Sequence, residues 1–81
     1  MKYERTFYFK RSYRRLPTEA QRAFEKQIRF LLLDIRHPSL RAKKYDEAAG
    51  IWQARVTKSV RFYFRIEGDT YWLLNIRKHS D

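Results

Sequence analysis

Hydrophobic and polar positions along the chain change period twice, and those changes divide it into elements. Tyr3, Arg5 and Phe7 alternate with Glu4 and Thr6, with Tyr8 and Phe9 following, which predicts a short first strand. Phe9, Tyr13 and Leu16 then recur at i, i+4 and i+7, one face of a short helix that ends near Pro17. Ala20, Phe24, Ile28, Leu31 and Ile35 continue at helical spacing, while Arg22, Lys26 and Arg29 lie off that stripe. Thr18 followed by Gln21 has the spacing of a capping box, so a second helix is expected to start there. His37-Pro38 is expected to end it, because the residue before a proline is pushed out of the α region.

After a basic loop from Leu40 to Lys44 the period becomes two. Trp52, Ala54 and Val56 alternate with Gln53, Arg55 and Thr57; Val60, Phe62, Phe64 and Ile66 alternate with Arg61, Tyr63 and Arg65. Gly68-Asp69 marks a tight turn, and Trp72, Leu74 and Ile76 then alternate with Tyr71, Leu73, Asn75 and Arg77. Short connections join these strands into an antiparallel meander. The reading is an α+β chain of order β-α-α-β-β-β, one domain over residues 1–81, with both helices on one face of the sheet.

Composition narrows the function classes. The 81 residues carry 19 Lys and Arg against 9 Asp and Glu, a net charge of +10, and are 43% hydrophobic and 17% aromatic. That apolar content excludes a disordered tail, and runs such as Phe30-Leu31-Leu32-Leu33 are far short of a membrane span of roughly 18 residues. The absence of cysteine excludes disulfides and thiolate zinc sites. With Met1-Lys2 leading straight into alternating residues, no secretory leader is expected and the cytoplasm is the expected compartment. The charge is uneven: residues 1–44 hold 13 basic and 4 acidic side chains (+9), residues 45–81 hold 6 and 5 (+1). Such an excess favours a polyanion as partner.

If the apolar set of each strand faces the helices, the other set shares the open face. That set is Gln53, Arg55, Thr57, Arg61, Tyr63, Arg65, Tyr71, Leu73, Asn75 and Arg77, with His79 added if the last strand continues, and it contains no carboxylate. Arginine forks match phosphate oxygens, and tyrosine rings offer surfaces for unpaired bases. The same residues also suit the solvent face of any basic sheet, and the pattern alone does not choose between the two. Trp52, Trp72 and Tyr45 read as packing residues, and His37 as a loop residue beside its proline. Two histidines 42 positions apart, without carboxylates beside them on the sheet, give no basis for a metal site, and no cofactor is expected.

Three stretches carry a resemblance: His37-Pro38-Ser39-Leu40 through Lys43-Lys44, Gly50-Ile51-Trp52-Gln53-Ala54-Arg55-Val56, and Arg61-Phe62-Tyr63-Phe64-Arg65-Ile66. In their order and spacing they resemble the RelE/ParE superfamily of bacterial and archaeal toxins. The ending Leu73-Leu74-Asn75-Ile76-Arg77-Lys78-His79-Ser80-Asp81 is similar to the histidine-containing C-termini of RelE-like mRNA interferases, the YafQ-like branch in particular. The resemblance implies the toxin of a type II toxin–antitoxin pair, which enters the ribosomal A site and cuts mRNA there without metal. By position, the resemblance places Arg55 and Arg61 at basic active-site positions and His79 where the family has a C-terminal basic or histidine residue at the site. Gln53 stands where the family often has lysine, and the family's later C-terminal aromatic has no counterpart here.

The implied chemistry is attack of a 2′-hydroxyl on the adjacent phosphorus, giving a 2′,3′-cyclic phosphate and a free 5′-hydroxyl. An imidazole titrates near neutrality, so His79 is the proton-transfer candidate, with Arg55 and Arg61 on the phosphate. Asp46, Glu47 and Asp81 are further possible bases. Lys43, Lys44, Gln53, Tyr63, Arg65, Tyr71 and Arg77 are the candidate RNA-binding residues. Arg14, Arg15, Arg22 and Arg29 are docking charges for rRNA or solvated helix faces. Expected partners are the ribosome, mRNA and an acidic or amphipathic antitoxin. A ParE-like inhibitor of DNA gyrase without nuclease activity, and a degenerate member that only binds RNA or antitoxin, remain as alternatives.

Overall fold

The computed structural model describes residues 1–79. Strand β1 (Lys2–Arg5) leads into helices α1 (Phe7–Arg14) and α2 (Thr18–Leu33). A 3-10 turn (Pro38–Leu40) is followed by β2 (Lys43–Asp46), β3 (Ile51–Arg55), β4 (Val60–Glu67) and β5 (Thr70–Lys78). The sheet runs β1-β5-β4-β3-β2. The meander from β3 to β5 is antiparallel as expected. Two features differ from the sequence reading: β1 joins as a parallel edge against β5, and a fourth antiparallel strand, β2, begins at the end of the predicted basic loop and runs on to Asp46. The period signal for β2 is only four residues long, KKYD, and all four are exposed, so no apolar alternation marks it.

Thr6 makes the turn from β1 into α1. Its hydroxyl accepts from the Phe9 amide and donates to the Leu73 carbonyl, capping the helix and tying it to β5. The capping box expected at Thr18 does not form. Pro17 occupies the cap position, and the Gln21 side chain instead donates to the Tyr13 carbonyl at the end of α1. Helix α2 stops at Leu33, before Ile35 and the His37-Pro38 pair, because Asp34 turns extended and its carboxylate accepts from the Arg36 amide. His37 caps the 3-10 turn and stacks on Phe30 at 3.9 Å, a structural role that agrees with the loop reading.

Both helices press on one sheet face. Phe9, Phe24, Phe62 and Phe64 form an aromatic chain through the core, with Ile28, Leu31, Leu40, Ala54, Leu73 and Ile76 around them. Gln27 is buried within this layer; its amide donates to the carbonyls of Arg55 (2.8 Å) and Ser39 (3.1 Å) and so pins α2 to the end of β3.

Strand β5 does not keep one parity. Phe64 pairs with Leu73 and Tyr63 with Asn75, so Leu74 is the extra residue of a β-bulge. Beyond it Ile76 faces the helices as predicted, but before it Tyr71 and Leu73 do, and Trp72 is turned to the open face. The Leu73 carbonyl at the bulge is the one that accepts from both the amide and the hydroxyl of Thr6.

The Tyr13 hydroxyl donates to Glu25 at 2.7 Å, and burial together with that carboxylate pushes its pKa up to about 12. A folded-state value above the unfolded one means the folded chain holds this proton more tightly. The resulting stability is complete below about pH 10 and is lost as pH rises toward 12. Tyr13→Phe is therefore expected to lose less stability than wild type between pH 9 and 12, a difference that urea unfolding at each pH measures.

Candidate nucleic-acid interface

The strand register fixes which side chains share the open face. From β2 come Lys43 and Tyr45, from β3 Gln53 and Arg55, from β4 Arg61, Tyr63 and Arg65, and from β5 Trp72, Asn75 and Arg77. The His79 amide donates to the Ser59 carbonyl, which extends the β4–β5 ladder by a pair and sets His79 on the same side as Arg77. Tyr45, Tyr63, Arg77, Lys78 and His79 line a shallow cavity of about 190 Å³ with no carboxylate among its lining residues.

Arg55, Arg61 and Arg77 are direct cross-strand neighbours, a row of three cations. Like charges placed opposite one another repel, so the row needs compensation. That compensation comes from neutral groups. Arg61 Nη1 donates to the carbonyls of Thr57 (2.7 Å), Lys58 (3.1 Å) and Val60 (3.1 Å), and Arg55 Nε donates to the same Thr57 carbonyl at 3.3 Å. Arg77 lies over the Tyr63 ring at 4.9 Å, and its Nη2 reaches the Tyr45 hydroxyl at 3.5 Å. Burial works to lower the Arg77 pKa, and the Tyr63 and Tyr45 hydroxyls more than offset it, holding the guanidinium above its ordinary value. Among the described residues the ion pairs are Arg36–Asp34 and Lys44–Glu47, neither in the row. The row is thus held in place without being neutralised, an arrangement that suits an anion.

Several predicted site residues are elsewhere. Tyr71 is on the helix side, buried edge-on against Phe64, because the bulge at Leu74 reverses the parity of the strand before it. Burial and the Asp34 carboxylate both raise its pKa. Lys44 also faces the helix side, with Nζ 5.2 Å from the centre of the Trp52 ring and 3.5 Å from Glu47. Gln53 and Tyr63 have the predicted parity but are buried; Gln53 lies between Lys43 and Tyr63 on the neighbouring strands, and both Tyr45 and Arg77 pack against the Tyr63 ring. Arg65 is four residues along β4 from Arg61, about 13 Å at strand spacing, and pairs with Trp72 at the other end of the face. The face is not free of acid there: Glu4 pairs with Trp72, and Glu67 follows Arg65 by two.

Of the possible bases, Asp46 accepts from the Ala49 amide and Glu47 pairs with Lys44, so both serve the β2–β3 turn. Asp81 lies outside the described residues. Two residues read as packing prove to be on the open face. Tyr45 is 54% exposed beside the His79 cavity, and Trp72 is 37% exposed. The signal for Tyr45 was its two-residue offset from Lys43, invisible without knowing that β2 is a strand.

No protein-family model matches the chain, and a search of curated proteins finds no match. Solved structures do match over nearly the full length. A YoeB/ParE toxin from Agrobacterium tumefaciens superposes with a TM-score of 0.81 at 20% identity, over 99% of this chain and 100% of that one. The toxin–antitoxin complex RelBE2 from Mycobacterium tuberculosis gives 0.72 at 21% identity, over 98% and 96%. The archaeal RelE–RelB complex from Pyrococcus horikoshii OT3 gives 0.72 at 14% identity, over 98% and 94%. The α+β fold expected from the sequence is therefore that of the RelE/ParE toxins, and this chain has it from β1 to β5.

Proposed function

We propose that the chain is the toxin of a type II toxin–antitoxin pair and that it acts as a ribosome-dependent mRNA endoribonuclease. The observation that carries the reading is the un-neutralised row Arg55-Arg61-Arg77 beside the His79 cavity. Arg61, fixed by the carbonyls of Thr57, Lys58 and Val60, and Arg77, fixed over Tyr63, hold the scissile phosphate and the charge that develops on it. His79 exchanges a proton with the reacting oxygens as the 2′-oxygen–phosphorus bond forms and the 5′-oxygen leaves. Tyr45 offers an exposed ring at the cavity edge for a neighbouring base. The excess of cations on residues 1–44 supports docking on rRNA. Two of the similar structures are complexes with an antitoxin, which supports an antitoxin as the protein partner here.

The test is to map mRNA 5′ ends after adding the protein to translating ribosomes. Wild type is expected to give new ends at A-site codons, and His79→Ala to cut about 10²–10⁴-fold more slowly. His79 is exposed just past β5, away from the core, so His79→Ala should still unfold in one cooperative transition, which a thermal melt checks. A wild-type protein that makes no cuts and instead blocks gyrase supercoiling overturns the nuclease reading in favour of the ParE-like one.

A further inference from the structure

A second basic concavity adjoins the arginine row. It has a volume of about 480 Å³ and is lined by Lys26 and Gln27 of α2, Pro38, Ser39 and Arg41 around the 3-10 turn, Arg55 at the end of β3, and Val56 and Lys58 in the connection that follows it. Four of these eight side chains are cations and none is acidic. Among the lining residues, the carbonyls of Ser39 and Arg55 both accept from the Gln27 amide. Arg55 belongs to the cleft and to the row at once, so the two basic surfaces are continuous.

Arg41 supplies an independent observation. It holds a left-handed backbone, φ 47° and ψ 43°, whereas the other positive φ values among the described residues belong to Gly50 and Gly68. It ends the 3-10 turn, a place where glycine or asparagine meets that conformation at less cost, so an arginine stands where the backbone alone favours a smaller residue. Arg41 is one of the residues lining the cleft.

We propose that this cleft binds the sugar–phosphate backbone of single-stranded RNA, carrying the strand past Arg55 away from the His79 cavity. The proposal rests on the nuclease reading and names where the substrate runs beyond the cut. The lining favours a polyphosphate chain over an amphipathic peptide: it offers cations spread over three elements, with Val56 and Pro38 as its apolar side chains and no aromatic anchor.

The experiment measures binding apart from cutting, by fluorescence anisotropy of a labelled single-stranded 2′-O-methyl RNA, which has no nucleophilic hydroxyl, over a salt series. Lys26→Ala/Arg41→Asn/Lys58→Ala is compared with Lys10→Ala/Arg11→Ala/Arg14→Ala, an equal charge loss on the exposed face of α1. The cleft triple is expected to weaken binding at least about tenfold more than the α1 triple and to flatten the log Kd–log salt slope by about 2. Asparagine tolerates the left-handed backbone, so the triple should melt as wild type does. If it does not, the Lys26→Ala/Lys58→Ala double variant repeats the comparison against Lys10→Ala/Arg11→Ala.

Equal losses from the two triples, or no binding by wild type, overturn the cleft assignment. So does binding of poly-glutamate with the same cleft dependence while the RNA shows none. Cleft-dependent RNA binding by a protein that never cuts at the A site overturns the nuclease reading alone. Cutting by a protein whose RNA binding ignores the cleft overturns the track alone.

Discussion

Arg61→Ala should abolish most mRNA cleavage while leaving a folded protein. Removing a donor that stabilises charge developing in a transition state costs about 3–4 kcal/mol, or 10²–10³ in rate. Arg61 is the middle cation of the row, flanked on neighbouring strands by Arg55 and Arg77, and its guanidinium is fixed by the carbonyls of Thr57, Lys58 and Val60. Arg61→Lys keeps the charge but loses the planar fork, and should recover only a small part of the rate. The Val60 carbonyl keeps its bonds from the Val56 and Thr57 amides, and the Lys58 carbonyl is exposed to water, so the stability cost of either change should be about 1 kcal/mol. Single-turnover cleavage on stalled ribosomes and urea unfolding of the same preparations separate the two effects. Wild-type cutting by Arg61→Ala would remove Arg61 from the proposed mechanism.

The fixed position of Arg61 also explains why the row was partly legible in the sequence. Parity along β3 and β4 is uninterrupted, and alternation therefore placed Gln53, Arg55, Arg61, Tyr63 and Arg65 on the correct face. What alternation does not report is depth. Gln53 and Tyr63 are both buried, Tyr63 under the Tyr45 ring of β2, and β2 has no hydrophobic period to announce it. The capping box failed for a related reason. A Thr-x-x-Gln spacing describes local options, and Gln21 found a stronger tertiary one at the Tyr13 carbonyl. Likewise Ile35 kept helical spacing while Asp34 ended the helix through its own side-chain hydrogen bond. In each case the periodic signal located the element, and a polar contact outside the pattern set its boundary.

Strand β5 offers the sharpest separation between the sequence pattern and the structure, and stability measurements can read it. A continuous strand would bury Trp72 and expose Leu73; the bulge at Leu74 does the reverse, leaving Leu73 0% and Trp72 37% exposed. Leu73→Ala is therefore expected to cost about 2–5 kcal/mol, the transfer of the lost methyl groups plus the cavity left against Phe64. Trp72→Ala, on the open face between Glu4 and Arg65, should cost under about 1.5 kcal/mol despite removing far more atoms. Domains of this size have about 5–10 kcal/mol in total, so Leu73→Ala should lower the urea midpoint steeply and leave a protein that is marginal at 37 °C. The opposite ranking would mean that β5 runs without its bulge. Arg77 and His79 would still share a face in that case, but Thr6 would lose the Leu73 carbonyl that anchors α1 to the sheet.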